Sequence, residues 1–451
     1  MVPLPPPAAG SPPAAPGSEP ARSTPAPLPT ESIPADPELA PRLQRLLDDW
    51  LAETGAPGGA LALRLADGRT AVVAGGHTDD RGGDLVQPAD RFRIGSITKT
   101  YVATLILQLV EEGRVALDEP LATYLPDAGH GQEVTIRQLL AHTSGVPDFG
   151  TVAAYRERLL ENPGRAWTAD EVLRLVIDRS LDFEPGERWA YSNTNYILLG
   201  LVAEAAGGSS LAELLHSRIL DPLKLTDTYL EGVEDAPRMA VSGHFDLDGD
   251  GDSDNVRLIP YTALVTSGAA AGGLSATALD VLDFADALMA GRLVGRISLG
   301  RMMEASTESE TAGGYGLGLM RFQRAGREAW GHGGGLPGFS AVLAHSVADG
   351  ATVVGLANER DVDIGSLAER VAEQVAAGAD GGPMVILSRV GSGWGATAPD
   401  RPHGRLSRPA SSLLGTKVSR AHGTCGWLSP PDGTVERLRL DSGRRACAGC
   451  C

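Results

Sequence analysis

Apolar residues near the start of the chain recur at spacings that predict one helix followed by a hairpin. From Pro41 onward, leucines and a tryptophan fall on one helical face, and the pattern stops near Gly55. Two short apolar runs follow at residues 60–65 and 71–74, separated by Asp67-Gly68, a pair typical of a tight turn. The pattern therefore predicts a helix and two antiparallel strands.

A longer helical pattern occupies residues 102–110, where apolar side chains recur at the spacing of a buried face. The stretch from about 111 to 261 is dominated by further helical patterns separated by long loops. These include a capping-box sequence at 168–171 and a helix that begins near Asn195 and ends at Gly207. The middle of the chain is therefore predicted to be mostly helical.

Strand patterns return towards the C-terminus, after a helical pattern that follows Thr277. Apolar runs at 315–322, 339–346 and 352–357 predict strands, and a last helical pattern covers 364–375. Strands on both sides of a helical region indicate an α+β fold. We expect one antiparallel sheet, completed by the N- and C-terminal parts and flanked by helices, with the mostly helical region inserted.

The two ends lack this patterning. Residues 1–37 are rich in Pro and Ala, and we expect a disordered arm there. Residues 383–451 contain 10 Lys and Arg but only 4 Asp and Glu, without sustained periodicity, and we expect a basic disordered tail. The catalytic domain is predicted to span residues 38–382. All four cysteines lie in the last 27 residues, so neither a disulfide nor a Cys-ligated metal is expected to support that domain.

Composition narrows the possible partners. The formal net charge of -18 argues against a nucleic-acid partner, because phosphate binding needs clustered Lys and Arg. No apolar run approaches the roughly 18 residues that span a bilayer, so no membrane span is expected. The first 36 residues lack the basic and apolar regions of a secretory signal, which leaves the compartment open.

The first candidate for chemistry is the segment 92–99, directly before the helical pattern. Ser96 lies at the predicted helix start, and Lys99 projects from the same side one turn later. A serine hydroxyl is a weak nucleophile until a nearby base takes its proton, and helix N-terminal amides stabilise developing negative charge. The alternative is an N-capping serine beside a solvated lysine.

The second candidate is the pair Tyr191 and Asn193, which flank one residue just before a helix. In an extended segment both side chains point to one face. A lysine ammonium beside a phenol lowers the pKa of the phenol, so Tyr191 could act as general base and later as general acid. Asn193 offers a donor and an acceptor to a substrate amide. The alternative is a loop tyrosine followed by a turn-forming asparagine.

The third candidate is the glycine-rich segment 331–339, which contains His332. Glycines beside a single histidine on an edge strand would let a substrate backbone approach and pair with that strand. A histidine with a purely structural role is the alternative.

A separate acidic segment resembles a calcium-binding loop, because hard cations prefer clustered oxygens. Arg257 stands where an EF-hand would supply its bidentate glutamate, so a solvated acidic loop is the alternative. The candidate calcium ligands are Asp246, Asp248, Asp250 and Asp252.

Taken in order, the three candidates resemble the motifs of the serine beta-lactamase-related family. That family includes serine D-alanyl-D-alanine carboxypeptidases, class C beta-lactamases and related esterases. The resemblance covers about residues 38–380, and the segments 139–148 and 271–275 support it. It implies a beta-lactamase/transpeptidase-like fold. The matching motifs are Ser96-x-x-Lys99, Tyr191-x-Asn193 and His332-x-Gly334.

The resemblance also implies roles for these residues. Ser96 would attack a carbonyl and form an acyl-enzyme, while Lys99 and Tyr191 would transfer protons and Asn193 would hold the substrate. The backbone amides of Ser96 and Gly335 would form the oxyanion hole. Which of Lys99 and Tyr191 is the acylation base stays open, because the two would titrate as a coupled pair. No cofactor is implied, and the expected partner is a small-molecule or peptide substrate.

Departures from the family's pattern bear on the substrate. His332 replaces the lysine usual in class C beta-lactamases, which favours the peptidase-like or esterase-like branch and predicts that His332→Lys would assist beta-lactam acylation. Gly333 replaces the threonine common in the carboxypeptidases, and Arg321 and Arg324 are uncertain substitutes for their carboxylate-binding arginine.

We therefore expect a serine acyl hydrolase that acts on a D-alanyl-D-alanine-like peptide, amide or ester. The alternatives are a true beta-lactamase and a non-catalytic relative that binds penicillin or peptidoglycan. Family relatives suggest a secreted or cell-envelope protein, and the oligomeric state stays open.

Overall fold

A computed structural model describes residues 38–79, 82–237, 239–245, 254–255 and 260–379. The expected arm at 1–37 and the expected tail at 383–451 lie outside the described residues. So do the candidate calcium ligands Asp246, Asp248, Asp250 and Asp252. The domain limits and the calcium site therefore stay predictions.

The strands, in chain order, are β1 (Gly58–Arg64), β2 (Thr70–Gly76), β3 (Phe92–Arg93), β4 (Tyr229–Leu230), β5 (His244–Phe245), β6 (Asp254–Asn255), β7 (Leu274–Ala276), β8 (Met320–Arg324), β9 (Arg327–Leu336), β10 (Phe339–Ser346) and β11 (Thr352–Ala357).

The helices, in chain order, are α1 (Leu39–Thr54), α2 (Thr98–Glu111), α3 (Ile136–Ala141), α4 (Ala153–Glu161), α5 (Ala169–Leu173), α6 (Asn193–Gly207), α7 (Leu211–Leu215), α8 (Asp221–Leu223), α9 (Thr262–Ser267), α10 (Ala269–Gly272), α11 (Ala278–Met289), α12 (Arg296–Met302) and α13 (Ile364–Ala379). Short 3₁₀ helices include Gly95–Ile97 and Phe149–Thr151.

The main sheet has six strands in the order β2-β1-β11-β10-β9-β8, and every neighbouring pair is antiparallel. The N-terminal hairpin joins the C-terminal strands where β1 pairs with β11, with Leu61 opposite Gly355. This confirms the expected α+β class and a sheet completed by both ends of the domain. Most helices lie in the segment between β2 and β8, as expected for a helical insertion.

Each face of the sheet is covered by helices because the strands carry apolar side chains on both faces. All seven residues of β1 are buried. On one face, Leu43, Leu47 and Trp50 of α1 pack in a cluster that also contains Leu367 of α13. α1 follows the predicted apolar spacing and ends at Gly55, whose left-handed φ of 73° suits glycine.

On the opposite face, a larger core contains most of the buried residues of α2, α6 and α11. Helix α2 is buried nearly all round, and eleven of its fourteen residues are buried. A helix of that kind must be surrounded by other elements. The starts of α2 and α6 thereby come to lie beside the end of β9, and the candidate chemistry is located there.

The predicted strand at 315–322 is wrong in its first half. β8 begins only at Met320, and Tyr315 forms an isolated bridge with that residue. Gly318, with a φ of 82°, turns the chain between them. The glycines that punctuate this segment mark a tight turn rather than an extended strand.

β9 is an edge strand only along its second half. β8 pairs with β9 as far as Gly331, and no described strand pairs with the outer side of β9 beyond that point. His332 and the glycines after it therefore lie on an open sheet edge, as the sequence predicted.

Among the described helices, none is by itself long and apolar enough to cross a membrane. The required length is reached only when Asn193–Gly207 is joined to Leu211–Leu223, and these two meet at a bend of 75°.

We predict that a protein comprising residues 38–382 folds without the two ends. In the described part of the chain, both hydrophobic clusters are formed by residues between Leu39 and Val375, all of which this protein retains. Thermal unfolding should give one cooperative transition near that of the full chain. An insoluble protein, or one that melts far lower, would show that an end packs on the domain.

Candidate active site

The 3₁₀ turn that carries Ser96 lies directly against β9, and two glycines permit this contact. Gly95 has a left-handed φ of 50°, and a Cβ added there would lie 2.6 Å from the nitrogen of Gly335. A Cβ added at Gly334 would lie 2.0 Å from the carbonyl oxygen of Ile94. Side chains at either position would force the two segments apart. Because both positions are glycines, the Ser96 turn can lie this close to the edge of β9.

Ser96 is 1% exposed and lies in the 3₁₀ turn, two residues before α2 begins. Neither that turn nor α2 has a side-chain hydrogen bond at its N-cap. Ser96 is therefore not an N-capping residue, which excludes that alternative. Instead, the Ser96 hydroxyl lies 3.1 Å from Nζ of Lys99.

Lys99 is 0% exposed, which excludes the alternative of a solvated helix residue. Its Nζ donates to the carbonyl oxygen of Ala271 at 2.7 Å and to Oδ1 of Asn193 at 2.8 Å. Both of these oxygens can only accept hydrogen bonds. The tetrahedral nitrogen therefore directs its remaining position at the Ser96 hydroxyl. That position holds a proton in the ammonium form and a lone pair in the neutral form.

Tyr191 lies beside the same amine. The Lys99 nitrogen is 4.8 Å from the centroid of the Tyr191 ring. That ring contacts the imidazole of His142, with ring centroids 4.3 Å apart, and lies 6.4 Å from those of Trp189 and His332. The two motifs that the sequence separates by more than ninety residues thus meet around one nitrogen.

Asn193 is 2% exposed and connects Lys99 to a carboxylate behind it. Its Oδ1 accepts from Lys99, while its Nδ2 donates to Oδ2 of Asp148 at 2.8 Å. An amide nitrogen has two hydrogens. Asn193 can therefore hold both neighbours and still donate one hydrogen bond to a substrate.

Asp148 is the acid of this network, and its side chain is half-buried. Its Oδ1 accepts from the backbone N–H of Gly150 at 2.9 Å. Burial raises the pKa of Asp148, although the hydrogen bonds from Gly150 and Asn193 and the charge of Lys99 oppose the rise.

His332 is 0% exposed, and both imidazole nitrogens have protein partners. Nδ1 lies 2.6 Å from the carbonyl oxygen of Gly333, so it must be the donor. Nε2 is then an acceptor and receives the hydroxyl of Tyr315 at 3.0 Å. Burial, with the charge of Lys99, lowers the pKa of His332 to about 3. In this arrangement the imidazole is neutral and fixes strand and turn.

The segment from His142 to Asp148 holds the loop that carries Tyr191 and Asn193. Ala190 N–H donates to the carbonyl oxygen of His142, and Ser192 N–H donates to its Nδ1. Ser144 Oγ donates to Asn195, and Asn195 also contacts His142 Nδ1 at 3.1 Å. Burial lowers the pKa of His142 well below its usual value, so this ring too is neutral.

Sequence reasoning noticed this segment but assigned none of its residues a role. His142 has a left-handed φ of 60°, which is unusual for a residue other than glycine. Tyr315 was missed as well, because the segment around it was expected to be a strand. The signal available in the sequence was a single tyrosine among glycines, in Gly313-Gly314-Tyr315-Gly316.

The two arginines considered for carboxylate binding lie elsewhere. Arg321 forms an ion pair with Glu310 at 2.6 Å, and Arg324 donates to the carbonyl oxygen of Gln323. A guanidinium that does lie beside β9 is that of Arg360, whose central carbon is 3.1 Å from the position of a Cβ on Gly335. A Cβ on Gly333, two residues away along β9, would meet open space.

No group of three or more His, Cys, Asp or Glu side chains in the described part of the chain could hold a metal ion. The residues that meet instead provide a hydroxyl, an amine, a phenol and an amide within one buried cluster. That combination is suited to activating a serine and moving its proton.

Comparison with known proteins relates this site to a family. A family model described as Beta-lactamase matches residues 43–376. The putative penicillin-binding protein PbpX of Bacillus subtilis is 27% identical over 310 residues, which are 68% of this chain and 72% of PbpX. Esterase EstB of Burkholderia gladioli is 34% identical over 233 residues, which are 49% of this chain and 57% of the esterase.

Solved structures agree. A D-stereospecific amidohydrolase from Streptomyces sp. has a TM-score of 0.64 and 33% identity, with 72% of this chain and 96% of that chain covered. The D-amino acid amidase of Ochrobactrum anthropi SV3, complexed with L-phenylalanine, has a TM-score of 0.66 and 27% identity, with 75% and 99% covered. The family match spans most of the domain, and the chain therefore belongs to the beta-lactamase family of serine hydrolases.

Proposed function

We propose that this protein hydrolyses an amide, peptide or ester bond next to a D-amino acid through an acyl-enzyme on Ser96. The observation that carries the proposal is the position of the Lys99 amine. Two acceptor-only oxygens orient Nζ so that its remaining position faces the Ser96 hydroxyl at 3.1 Å. A base oriented by other groups is the arrangement that activates a serine nucleophile.

In the acylation step, Ser96 Oγ attacks the substrate carbonyl carbon while its proton passes to the Lys99–Tyr191 pair. Negative charge develops on the carbonyl oxygen, and we assign its stabilisation to the backbone amides of Ser96 and Gly335. The closeness of Gly95 to the Gly335 nitrogen supports that assignment. When the carbon–nitrogen or carbon–oxygen bond breaks, the leaving group takes the proton. Water then repeats the sequence to release the acid and free Ser96.

The D-amino acid class comes from the comparisons. Two solved relatives with high coverage are named a D-stereospecific amidohydrolase and a D-amino acid amidase. The neutral, fully bonded His332 agrees with this branch, since it provides no cation for a beta-lactam carboxylate. A lysine at this position would place a second ammonium close to Lys99 and lose the Tyr315 hydrogen bond. We therefore expect His332→Lys to destabilise the site rather than create a beta-lactamase.

A D-alanyl-D-alanine-like peptide with a free carboxylate is a second candidate substrate, favoured by Arg360. Its guanidinium lies beside Gly335, on the strand that we propose binds the substrate. Charge-assisted bonds from arginine to carboxylate are among the stronger hydrogen bonds in proteins. In this second candidate, Arg360 binds the terminal carboxylate of the peptide.

The nucleophile is tested by covalent labelling. A fluorescent phosphonate should form a stable adduct on Ser96, because a phosphonyl group resembles the tetrahedral intermediate. Ser96→Ala should abolish labelling and lower turnover roughly 10⁴-fold or more, as removal of other serine nucleophiles does. Mass spectrometry of the digested adduct identifies the residue. An adduct on another residue would refute the assignment.

A substrate panel tests the branch. We expect D-amino acid amides and short-chain nitrophenyl esters to be turned over faster than the L-amides and faster than a chromogenic cephalosporin. Cephalosporin turnover above that of the best ester would instead make this protein a true beta-lactamase. Binding of penicillin without any turnover across the panel would indicate a non-catalytic relative.

The carboxylate contact is tested with Arg360→Gln. This change should lower turnover of a D-alanyl-D-alanine peptide more than turnover of the same peptide with an amidated C-terminus, because only the free acid offers a charged partner. Arg321→Gln, which removes a similar charge from the Glu310 ion pair, is the matched control and should affect both substrates equally. An equal effect of Arg360→Gln on both peptides would remove the free acid as a favoured substrate.

The burial of His332 predicts a pH dependence of stability. Its pKa is about 3 in the folded protein and about 6.5 when unfolded, so between these values only the unfolded chain is protonated there. The stability of the folded protein is therefore not lowered by this group above pH 6.5, and it decreases as the pH falls below that value. Each such group lowers the free energy of unfolding by up to about 1.4 kcal/mol per pH unit.

We expect His332→Gln to show a shallower fall in that free energy between pH 6.5 and pH 5 in denaturant titrations. His142, Asp148 and Asp280 also have shifted pKa values, but they are present in both proteins, so the difference reports His332. Equal slopes for the two proteins would show that the imidazole is protonated when folded.

A further inference from the structure

We propose that Asp148 is a positioning residue of the catalytic site, which fixes the orientation of the Asn193 amide so that its oxygen faces Lys99. The proposal rests on the function proposed above and adds a residue that acts through Asn193. It follows from a single chain of contacts, Lys99 Nζ to Asn193 Oδ1 at 2.8 Å and Asn193 Nδ2 to Asp148 Oδ2 at 2.8 Å.

An asparagine side chain can be turned by 180° with almost no change in shape, so its neighbours decide which end is oxygen. The ammonium form of Lys99 can only donate a hydrogen bond, and an ionised carboxylate can only accept one. The amide lies between them, and only one of its two orientations satisfies both. Without an acceptor at residue 148, only the ammonium form of Lys99 would hold the amide in this orientation. The neutral amine has a lone pair, which could accept from the NH₂ group once the amide had turned.

Asp148 is itself held in place by contacts that are separate from Asn193. Its other oxygen caps the 3₁₀ helix Phe149–Thr151 through Gly150 N–H, and its backbone carbonyl accepts from the hydroxyl of Thr151. The neighbouring Pro147 carbonyl accepts from Thr194, and Thr194 Oγ1 accepts from Phe149 N–H. The carboxylate is thus fixed relative to the first turn of α6, which carries Asn193.

The charged and titratable groups around Lys99 show why this orientation matters. Besides Ser96 and Asn193, the amine lies beside the rings of Tyr191 and Tyr196, and it lowers the pKa values of His142 and His332. The charge of Lys99 also acts on Asp148, where it opposes the rise in pKa that burial causes. With the amide turned, Lys99 would face an NH₂ group, and the direction of its third position towards Ser96 would be lost.

A reciprocal exchange tests this inference. In Asp148→Asn one of the three hydrogen bonds around the carboxamide must be lost, because residue 148 then has a single acceptor for Gly150 and Asn193. In Asn193→Asp two carboxylates face each other. In the double variant, the new amide at position 148 donates to the new carboxylate at position 193 and still accepts from Gly150, while that carboxylate accepts from Lys99. Every donor then has an acceptor again.

We expect Asp148→Asn to lower kcat and the rate of phosphonate labelling of Ser96 by about 10- to 100-fold, the size of effect that a small misplacement of catalytic groups produces. The double variant should recover most of this loss when each protein is compared at its own optimum pH. Its pH–rate profile should have the limb due to the amine shifted to higher pH, because a carboxylate now contacts Lys99 directly. A residue that merely capped the Phe149–Thr151 turn would give equal losses in Asp148→Asn and in the double variant.

The matched control is Asp280→Asn. Asp280 in α11 is a buried aspartate whose pKa is likewise raised, to about 6, and its carboxylate accepts from Asp227 N–H and the Thr228 hydroxyl. Its replacement should change thermal stability without changing the pH profile. Thermal unfolding of all variants identifies any that do not fold. If Asp148→Asn does not fold, Asn193→Asp is compared with the double variant instead. The double variant should then be faster than Asn193→Asp.

The outcomes separate the two levels of inference. An absence of Ser96 labelling in the unchanged protein would refute the proposed function. Labelling of the unchanged protein together with an undiminished rate in Asp148→Asn would overturn the role of Asp148 alone. A double variant that folds yet is no faster than the slower single variant would do the same.

Discussion

The burial of the Lys99 amine is the constraint on which the site depends. An amine without access to water needs a partner for each of its hydrogen-bonding positions, because an unmet one costs several kcal/mol. Here the partners are the carbonyl of Ala271 in α10, the amide of Asn193 in α6 and the hydroxyl of Ser96 before α2. These three elements must therefore pack in a single register. The packing of the core therefore also fixes the geometry of the candidate site, which explains why polar residues at the starts of two helices are as buried as their leucines.

A second constraint joins this helical cluster to the sheet. The turn at Gly95 and the strand at Gly334 approach so closely that a Cβ on either would overlap the other's backbone. The lack of a side chain at both glycines thus permits the short distance between the Ser96 turn and the open edge of β9. His332 and Tyr315 support the same junction from the other side, since their hydrogen bond ties β9 to the turn before β8. The site lies between the helical cluster and the sheet, and contacts from both determine the distance between them.

The sequence predicted those features that neighbouring residues encode. α1, the first hairpin, β10 and β11 follow from apolar spacing and turn residues, and the order of the motifs associated Ser96 and Lys99 with Tyr191 and Asn193. The contact of Asp148 with Asn193 joins residues 45 positions apart, and no local pattern indicates it. The strand predicted around Tyr315 was wrong for another reason. An apolar run interrupted by glycines resembles a strand, and only the left-handed φ of Gly318 in the structure shows that the chain turns there. The complete burial of Lys99 is a tertiary property and could not be predicted from helical spacing.

The shifted pKa values in this cluster have a common cause and opposite consequences. Burial beside Lys99 makes His142 and His332 neutral, and the same burial makes the Asp148 carboxylate easier to protonate. Both effects cost stability, because burial removes each group from the water that stabilises its charged form. In the folded domain, the Lys99 amine is connected to the Asp148 carboxylate through the Asn193 amide and not by a direct contact. A direct ion pair would hold the proton on Lys99. The intervening Asn193 orients the amine without such an ion pair, and the proposed proton transfer from Ser96 requires an amine that can accept a proton.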